Sequence, residues 1–530
     1  MQRIALFLIL ALIVPSLPVG AQANVDCGIV DAIDYPIGGI SLENDDFGMY
    51  RAAWGGYHAG MDMAFERPGE MVRAAARGRV TFSDPAGWGT EKGVVVIEHI
   101  FPDRSVAFTL YGHMEPTAEA PFPPVGRCVE RGDIVGTVGR PQNSAPHLHY
   151  EIRRMRASTG GPGYWTTNPQ DGGWFHPVEF TERWRLRLNP AFRALLSATS
   201  APVAPPMWQP DGSAIFATRG AVEQRLPTTN SAANPDPVWA LHVNGLVSAA
   251  PLPDGRVLGM TESGQMYIVA GGRFVGSWLP SSPLQTGPMR VADALVWLDA
   301  ENRAVAYTAE GQPVWQTEPL GLRVERYAVS GGLLAVATEN NSTYALIVVS
   351  AAGGIVYAGQ APAPITPIPA PNSGFLITVG SQISLLTADG QLRPLIDAGR
   401  ALGRGSYAAL DEAGNLYVYP GSGREVYAYA PDGGLRWSAR LSGFAGNPPL
   451  IAVGGGCLVY VLTGEGTLNA LRAADGTLLG MASLYAGGDQ GRAGARVLSV
   501  LPGELVQFSA GYLSTAIVDG LALTGLPVCG

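Results

Sequence analysis

From about residue 207 to the end of the chain one pattern keeps returning. It is a pair of apolar strands, a turn with Asp-Gly, Glu-Gly or Gly-Gly, and then a strand with an aromatic or bulky apolar residue. AVAYTAEGQPVWQTEPLG, EVYAYAPDGGLRWSARLSG and TLNALRAADGTLLGMASLYAG are clear copies. QMYIVAGGRFVGSWLPSS, TYALIVVSAAGGIVYAGQA and QISLLTADGQLRPLIDAG are weaker ones; PVWALHVNG, near Trp239, reads as the first and YLSTAIVDGLALTGLP as the last. The spacing of about 37–43 residues is the period of a propeller blade of four short strands, units that must stack on neighbours to bury their apolar faces. Eight candidate final strands predict eight blades, with seven as the alternative. The 69 Gly, the 42 Pro and a charged fraction of only 15% fit an all-β chain with many turns.

A different signal precedes the repeats. The chain has seven histidines, and four of them fall in three short motifs: His58-Ala59-Gly60-Met61-Asp62, Leu110-Tyr111-Gly112-His113 and Pro146-His147-Leu148-His149-Tyr150-Glu151. Each is bounded by glycine or proline and alternating apolar residues, which predicts short strands meeting turns. Residues two apart on a strand share a face, so His147 and His149 should point into the same groove. Imidazoles and a carboxylate brought together there, with one open coordination position, would suit a catalytic zinc. His99, His176 and His242 read as structural, and Glu151 as a supporting or structural residue.

The N-terminus reads MQRIALFLILALIVPSLPVGAQA, with Arg3 as a short positive region, an apolar run from Ala5 to Val14, and Ala21-Gln22-Ala23 as a small-residue cleavage site. This predicts a secretory signal peptide over 1–23 and an extracytoplasmic protein. The remaining chain is too long for one core. The expected division is 24–197 (core about 44–180), a Pro/Ala/Ser-rich linker at 198–206, and the repeat domain at 207–530. Thr181 to Ser197 reads as a helical or extended connector. Four cysteines in a secreted protein predict disulfides, most naturally Cys27–Cys128 and Cys457–Cys529. A net charge of −9 argues against nucleic acid as a partner.

The histidine motifs, with the flanking HAGMDMAFERPGEMVRAAARGRVTFSD, VVVIEH, TLYGHM and VGRCVERGDIVGTVGRPQNSAPHLHYEIR, resemble the LytM/lysostaphin-type zinc metallopeptidases, which are peptidoglycan endopeptidases. The resemblance covers about residues 44–180. It implies an antiparallel β groove of the duplicated hybrid motif kind. It further implies one Zn2+ held by His58, Asp62 and His149, with His113 and His147 as the catalytic pair beside the water and substrate. In some relatives an upstream tyrosine binds the oxyanion; the spacing of Tyr50 and Tyr57 does not assign either. The insertion RRMRASTGGPGYWTTNPQDGGWFHP after His149, with Tyr164, Trp165 and Trp174, has the composition of a groove rim. The repeats resemble PQQ-like β-propellers, in which an aromatic packs between blades. Trp315 and Trp437 occupy that position, Trp239 resembles them, and elsewhere the position is degenerate.

Three functions are therefore in view. The first is a secreted zinc endopeptidase cutting peptidoglycan stems or cross-links, or Gly-rich peptides, with the propeller binding a protein or wall polymer or positioning the enzyme. The second is a catalytically inactive peptidoglycan-binding regulator or scaffold. The third, a quinoprotein dehydrogenase, fits least, because the repeats are short of His, Glu and clustered Asp. Residues 24–43 could also act as an inhibitory segment across the groove.

Overall fold

The computed structural model describes residues 26–526, apart from 38–45, 156–159, 199, 201, 210, 228–235, 371–373, 401, 403–406, 421–424, 442–449, 465, 485–495 and 510–513. The expected signal peptide and Cys529 lie outside the described residues. No helix among the described residues is long and apolar enough to cross a membrane.

The first domain is built on a nine-stranded antiparallel sheet. Its middle is formed by Gly93–Ile100 and Val106–Glu115, which pair along their length. The run Val94-Val95-Val96-Ile97 is apolar without alternation, and the sheet shows why: both faces are covered. Val95 and Ile97 enter the main core with Met61, Tyr111 and Leu148, while Val94 and Val96 join Phe108 and Leu110 in a second, smaller cluster. Burying each such side chain contributes roughly 1.5–3 kcal/mol. Leu148–Arg153 pairs on one edge with Met61–Met63 and on the other with Val106–Glu115, which brings the three histidine motifs side by side.

Residues 26–37 strap one end of this domain. Ile29 bridges Ile100, Ile33 bridges Ala76, and Val30, Ile33 and Ile37 are buried in the main core. Cys27 and Cys128 form a disulfide across a sequence separation of 101. A loop of that size corresponds to roughly 4–5 kcal/mol of chain-entropy stabilisation. None of these residues lines the histidine groove. The rest of the segment considered for an inhibitory role, up to 43, lies outside the described residues.

The insertion after His149 adds one strand to a separate three-stranded sheet and one to the nine-stranded sheet. Tyr164–Trp165 pairs with Gly56–His58, and Trp174–Phe175 pairs with Leu148–Arg153. The helix Pro177–Arg187 follows; His176 caps it by accepting from the Glu179 amide, Pro177 opens it, and Arg185 and Arg187 sit in its last turn. The connector predicted at 181–197 is thus helix first and strand second. Val178 and Trp184 pack into the first core, whereas Leu186 packs with Tyr460, Leu468 and Val518 of the repeat domain.

The repeats form a propeller of eight four-stranded antiparallel sheets among the described residues. Seven are consecutive in sequence, over 207–242, 246–278, 289–316, 323–361, 365–397, 407–440 and 450–483. The eighth takes three strands from 497–519 and its outer strand from Phe192–Ser197, which pairs with Ser514–Asp519. That segment, placed by sequence at the end of the first domain, is therefore hydrogen-bonded into the last blade. Its short apolar text, Phe-Arg-Ala-Leu-Leu-Ser, says nothing about a partner more than 300 residues away; Arg193 pairs with Asp519 across 326 positions. The closure gives the last blade its fourth, outer strand and ties the two ends of the ring together. Leu196 and Ala198 continue the contact onto Ala214 and Phe216 of the first blade.

Neighbouring blades are fastened by indoles on glycines. Trp278, Trp315 and Trp437 donate from Nε1 to the carbonyls of Ala309, Ala351 and Ala473 in the following blade, at 2.8, 2.9 and 2.9 Å. Their rings lie over Gly311, Gly353 and Gly476, where a Cβ would come within 2.4–2.7 Å of the indole. Trp239 lies over Gly272 in the same way but donates to Gln224 of its own blade. Trp278 escaped the sequence pattern because it comes two residues later after its turn glycine than Trp315 and Trp437 do, on the same face of the strand.

If Phe192–Ser197 closes the ring, a fragment of residues 190–530 should melt cooperatively and at higher temperature than one of 198–530. Circular dichroism melts of the two fragments check this; equal melting would show that the pairing adds nothing.

Candidate metal centre and groove

His58 ends the strand Gly56–His58, and Asp62 lies on Met61–Met63 after the turn at Ala59-Gly60. Gly60 is required there because a Cβ would meet the Tyr150 carbonyl at 2.6 Å and the His149 ring at 2.7 Å. Antiparallel pairing sets His149 opposite Asp62 on one side and opposite Gly112 on the other. The result is a tight triangle. His58 Nε2 lies 2.9 Å from His149 Nδ1, and each is 3.2 Å from Asp62 Oδ1. A tetrahedral zinc with bonds of ~2.0–2.1 Å spaces its ligand atoms by about 3.3 Å, so the three donors fit that ion. They are the one group of this kind among the described residues.

Each imidazole of the triangle is backed by a carboxylate. His58 Nδ1 is 3.2 Å from Asp46 Oδ2, and His149 Nε2 is 2.9 Å from Glu151 Oε1. A carboxylate behind one ring nitrogen holds the proton there and turns the other nitrogen's lone pair toward the centre. Asp46 also accepts from the Asp62 amide at 3.2 Å and pairs with Arg51 at 2.7 Å. Glu151 is fully buried, accepts from Trp174 Nε1 at 2.8 Å and faces Arg153 at 3.4 Å.

The electrostatics favour a cation in the triangle. Burial opposes charge on His58, yet hydrogen bonds to Asp46 and Asp62 hold its pKa up at about 10. Burial likewise opposes charge on Asp62, but bonds from His147, His149 and His58 keep it well below the usual carboxylate range. Groups that stabilise a proton so strongly will also attract a metal ion.

His113 and His147 are held differently. Their Nδ1 atoms lie 2.8 Å from the Glu91 carbonyl and 2.6 Å from the Ala145 carbonyl. Each carbonyl accepts a hydrogen bond from Nδ1–H, which leaves Nε2 as the nitrogen able to act as a base. The two rings are 4.4 Å apart, and His147 Nε2 reaches to 3.3 Å from Asp62 Oδ1. Burial and the neighbouring histidines push His113 down to about 3, so it is neutral at pH 7. Its backbone is left-handed, φ +57°, an uncommon state for a residue with a side chain and one that clusters at functional sites. Gly112 before it lies under Trp88, whose ring a Cβ would meet at 2.3 Å.

These residues open onto a cleft of about 350 Å³. Its walls are aromatic: Phe65 stacks on His147 at 5.3 Å, Trp54 stacks on Tyr164 at 5.6 Å, and Trp88 packs edge-on to His113 and His149. Tyr50 and Tyr57 do not line it; they pack against each other at 5.2 Å. Sequence reasoning brought together all five motif residues. It missed Asp46, Glu91, Trp88 and the position of Tyr164. None of these has a motif of its own, although the aromatic insertion after His149 pointed toward Tyr164. His99, read as structural, is buried and bonded to the Arg77 carbonyl and Thr109.

Residues 56–160 match the model of peptidase family M23, and residues 379–479 match a model described as outer membrane protein assembly factor BamB. A search of curated proteins finds no match. Among solved structures, the chain is similar to BamB from Moraxella catarrhalis (13% identity, 62% of this chain, 98% of that one, TM-score 0.39). It is also similar to Sqt1 from Saccharomyces cerevisiae (10% identity, 62% and 98%, TM-score 0.46). A computationally designed protein, Ika8, is matched at 15% identity over the same shares with a TM-score of 0.44. The propeller assignment rests on the eight sheets rather than on these likenesses. The chain thus joins a peptidase domain of family M23, matched over residues 56–160, to a β-propeller.

Proposed function

We propose that this protein is a zinc-dependent endopeptidase that hydrolyses peptide bonds in peptidoglycan stems or cross-links outside the cytoplasm, and that its propeller binds a protein or wall polymer to position it. The observation that carries the reading is the pairing of two kinds of imidazole. His58 and His149 are backed by carboxylates and converge with Asp62 on one point; His113 and His147 are backed by carbonyls and face the same cleft. His58, Asp62 and His149 would hold the zinc. Its charge would polarise a carbonyl and acidify water.

The chain's own residues account for the proton traffic. Attack on a peptide carbonyl requires a base for the water's proton and an acid for the departing amine. His113, kept neutral by burial, and His147 beside it can between them take the first proton and return it to the leaving nitrogen. A carbonyl behind an imidazole stabilises imidazolium less than a carboxylate does, which suits a group that must release its proton again. The aromatic walls limit water in the cleft and strengthen each polar contact. The Cys27–Cys128 disulfide favours an oxidising compartment, in keeping with the signal peptide read at 1–23.

A catalytically inactive binder is the second reading, since M23 relatives include inactive members; retention of all five residues favours the enzyme. The purified protein should carry one zinc, lose hydrolysis of peptidoglycan with a chelator and recover it when zinc is restored, with released muropeptides identified by mass. Full activity without metal would sink the proposal, and zinc-loaded protein that releases nothing would favour the binder.

His113→Ala and His147→Ala should retain zinc but lose hydrolysis by ~10²–10⁴-fold; loss of zinc from either would reassign it as a ligand. Glu151→Gln and Asp46→Asn should each weaken zinc affinity by about 10–100-fold in competition with a chromophoric chelator. Unchanged affinity would reduce both carboxylates to packing roles.

A further inference from the structure

His113 and His147 enter the cleft from different parts of the chain. His113 lies near the end of Val106–Glu115, whereas His147 closes the loop 139–147, which has no strand or helix of its own. Each ring is anchored at Nδ1 by one carbonyl, that of Glu91 for His113 and that of Ala145 for His147. Glu91 also fastens the two anchors to each other. Its Oε1 accepts from the Asn143 amide at 3.0 Å and from Asn143 Nδ2 at 2.6 Å, and its Oε2 accepts from Ser144 Oγ at 3.3 Å. A backbone bond from the Gln142 amide to the Thr90 carbonyl, at 3.2 Å, runs beside them. Both carboxylate oxygens are thus committed to the loop that carries Ala145. Neither bonds the His113 ring, whose Nδ1 lies 4.0 Å from Oε2. The turn that bears Glu91 is held on its own side. Gly89–Glu91 forms a 3₁₀ turn, the Trp88 amide donates to the Lys92 carbonyl at 2.9 Å, and Lys92 Nζ pairs at 2.8 Å with Glu115, two residues beyond His113. The opposing loop is the more open of the two, with Gln142, Asn143 and Ala145 exposed.

We propose that Glu91 is the positioning residue for both imidazoles. Its backbone carbonyl sets the His113 ring. Its carboxylate holds residues 143–144, which sets the Ala145 carbonyl and through it the His147 ring. This rests on the peptidase reading above. The two rings stand 4.4 Å apart and serve one substrate bond, so their placement relative to each other is what the chemistry needs. A displacement of ~1 Å in such a pair can cost ~10²-fold in rate. Tying both anchors to one residue makes the two loops move together and preserves that spacing.

The test compares Glu91→Ala with Glu91→Gln in the zinc-loaded full-length protein, acting on soluble peptidoglycan fragments. Alanine keeps the backbone carbonyl and removes the tether. It should lower kcat by ~10–10²-fold, with KM within about twofold and zinc content unchanged. Glutamine still offers Asn143 an acceptor and should recover most of that loss. A double-mutant cycle with His147→Ala decides the route: in that background Glu91→Ala should cost no more than about twofold, because the carboxylate acts through His147. Asn143→Ala cuts the same tether from its exposed end. It should reproduce the loss without adding to that of Glu91→Ala, and it carries the cycle alone if Glu91→Ala does not fold. A tether variant within about threefold of wild-type kcat, a glutamine variant as slow as alanine, a loss confined to KM, or an equal loss with and without His147 would overturn the positioning role and leave the peptidase reading standing. Wild-type protein that hydrolyses no peptidoglycan would overturn both.

Discussion

The first domain depends on one strand being paired on both edges. Leu148–Arg153 is hydrogen-bonded to Met61–Met63 on one side and to Val106–Glu115 on the other. His149 is thereby opposite Asp62 and Gly112 at once, and residues 87–91 positions apart become neighbours. The pairing register is critical. A slip of one residue on this strand would turn His147 and His149 out of the groove and bring Leu148 and Tyr150, now in the core, to the groove side. The apolar residues between the histidines therefore do as much to specify the site as the histidines do.

A second constraint is the division of the surrounding acceptors. Charged oxygens stand behind the two imidazoles of the triangle, and peptide carbonyls stand behind the other two. The same residue type thereby acquires two electrostatic environments without any change in covalent structure. The carboxylates are tied in turn: Asp46 to the Asp62 amide and Arg51, Glu151 to Trp174 and Arg153. The insertion is part of this arrangement, because Trp174 comes from its end and Tyr164 from its middle.

The propeller and the peptidase domain are joined by more than a linker. The helix Pro177–Arg187 places Trp184 in one core and Leu186 in the other, and the strand that follows completes the eighth blade. A linker alone would leave the cleft free to sample many orientations relative to the propeller. A shared helix and a closing strand restrict that freedom.

Much of this was legible in the sequence because it is written locally. The blade period, the turn glycines, the Trp315 and Trp437 positions and the spacing His58…Asp62 and His147…His149 follow from strand and turn geometry over a few residues. The sequence by itself thus determined an all-β chain of two parts, a set of five polar residues and a repeat that must close into a ring. Only the tertiary structure decided the rest. It showed that Asp46 stands behind His58, that Tyr164 rather than Tyr50 or Tyr57 faces the cleft, and that Phe192–Ser197 belongs to the last blade. The physical reason is that each of these is a contact between distant segments whose own text is ordinary: a lone aspartate, a tyrosine in a loop, six residues with no period. Their partners are fixed by sheet register and ring closure, which exist only once the whole chain has folded.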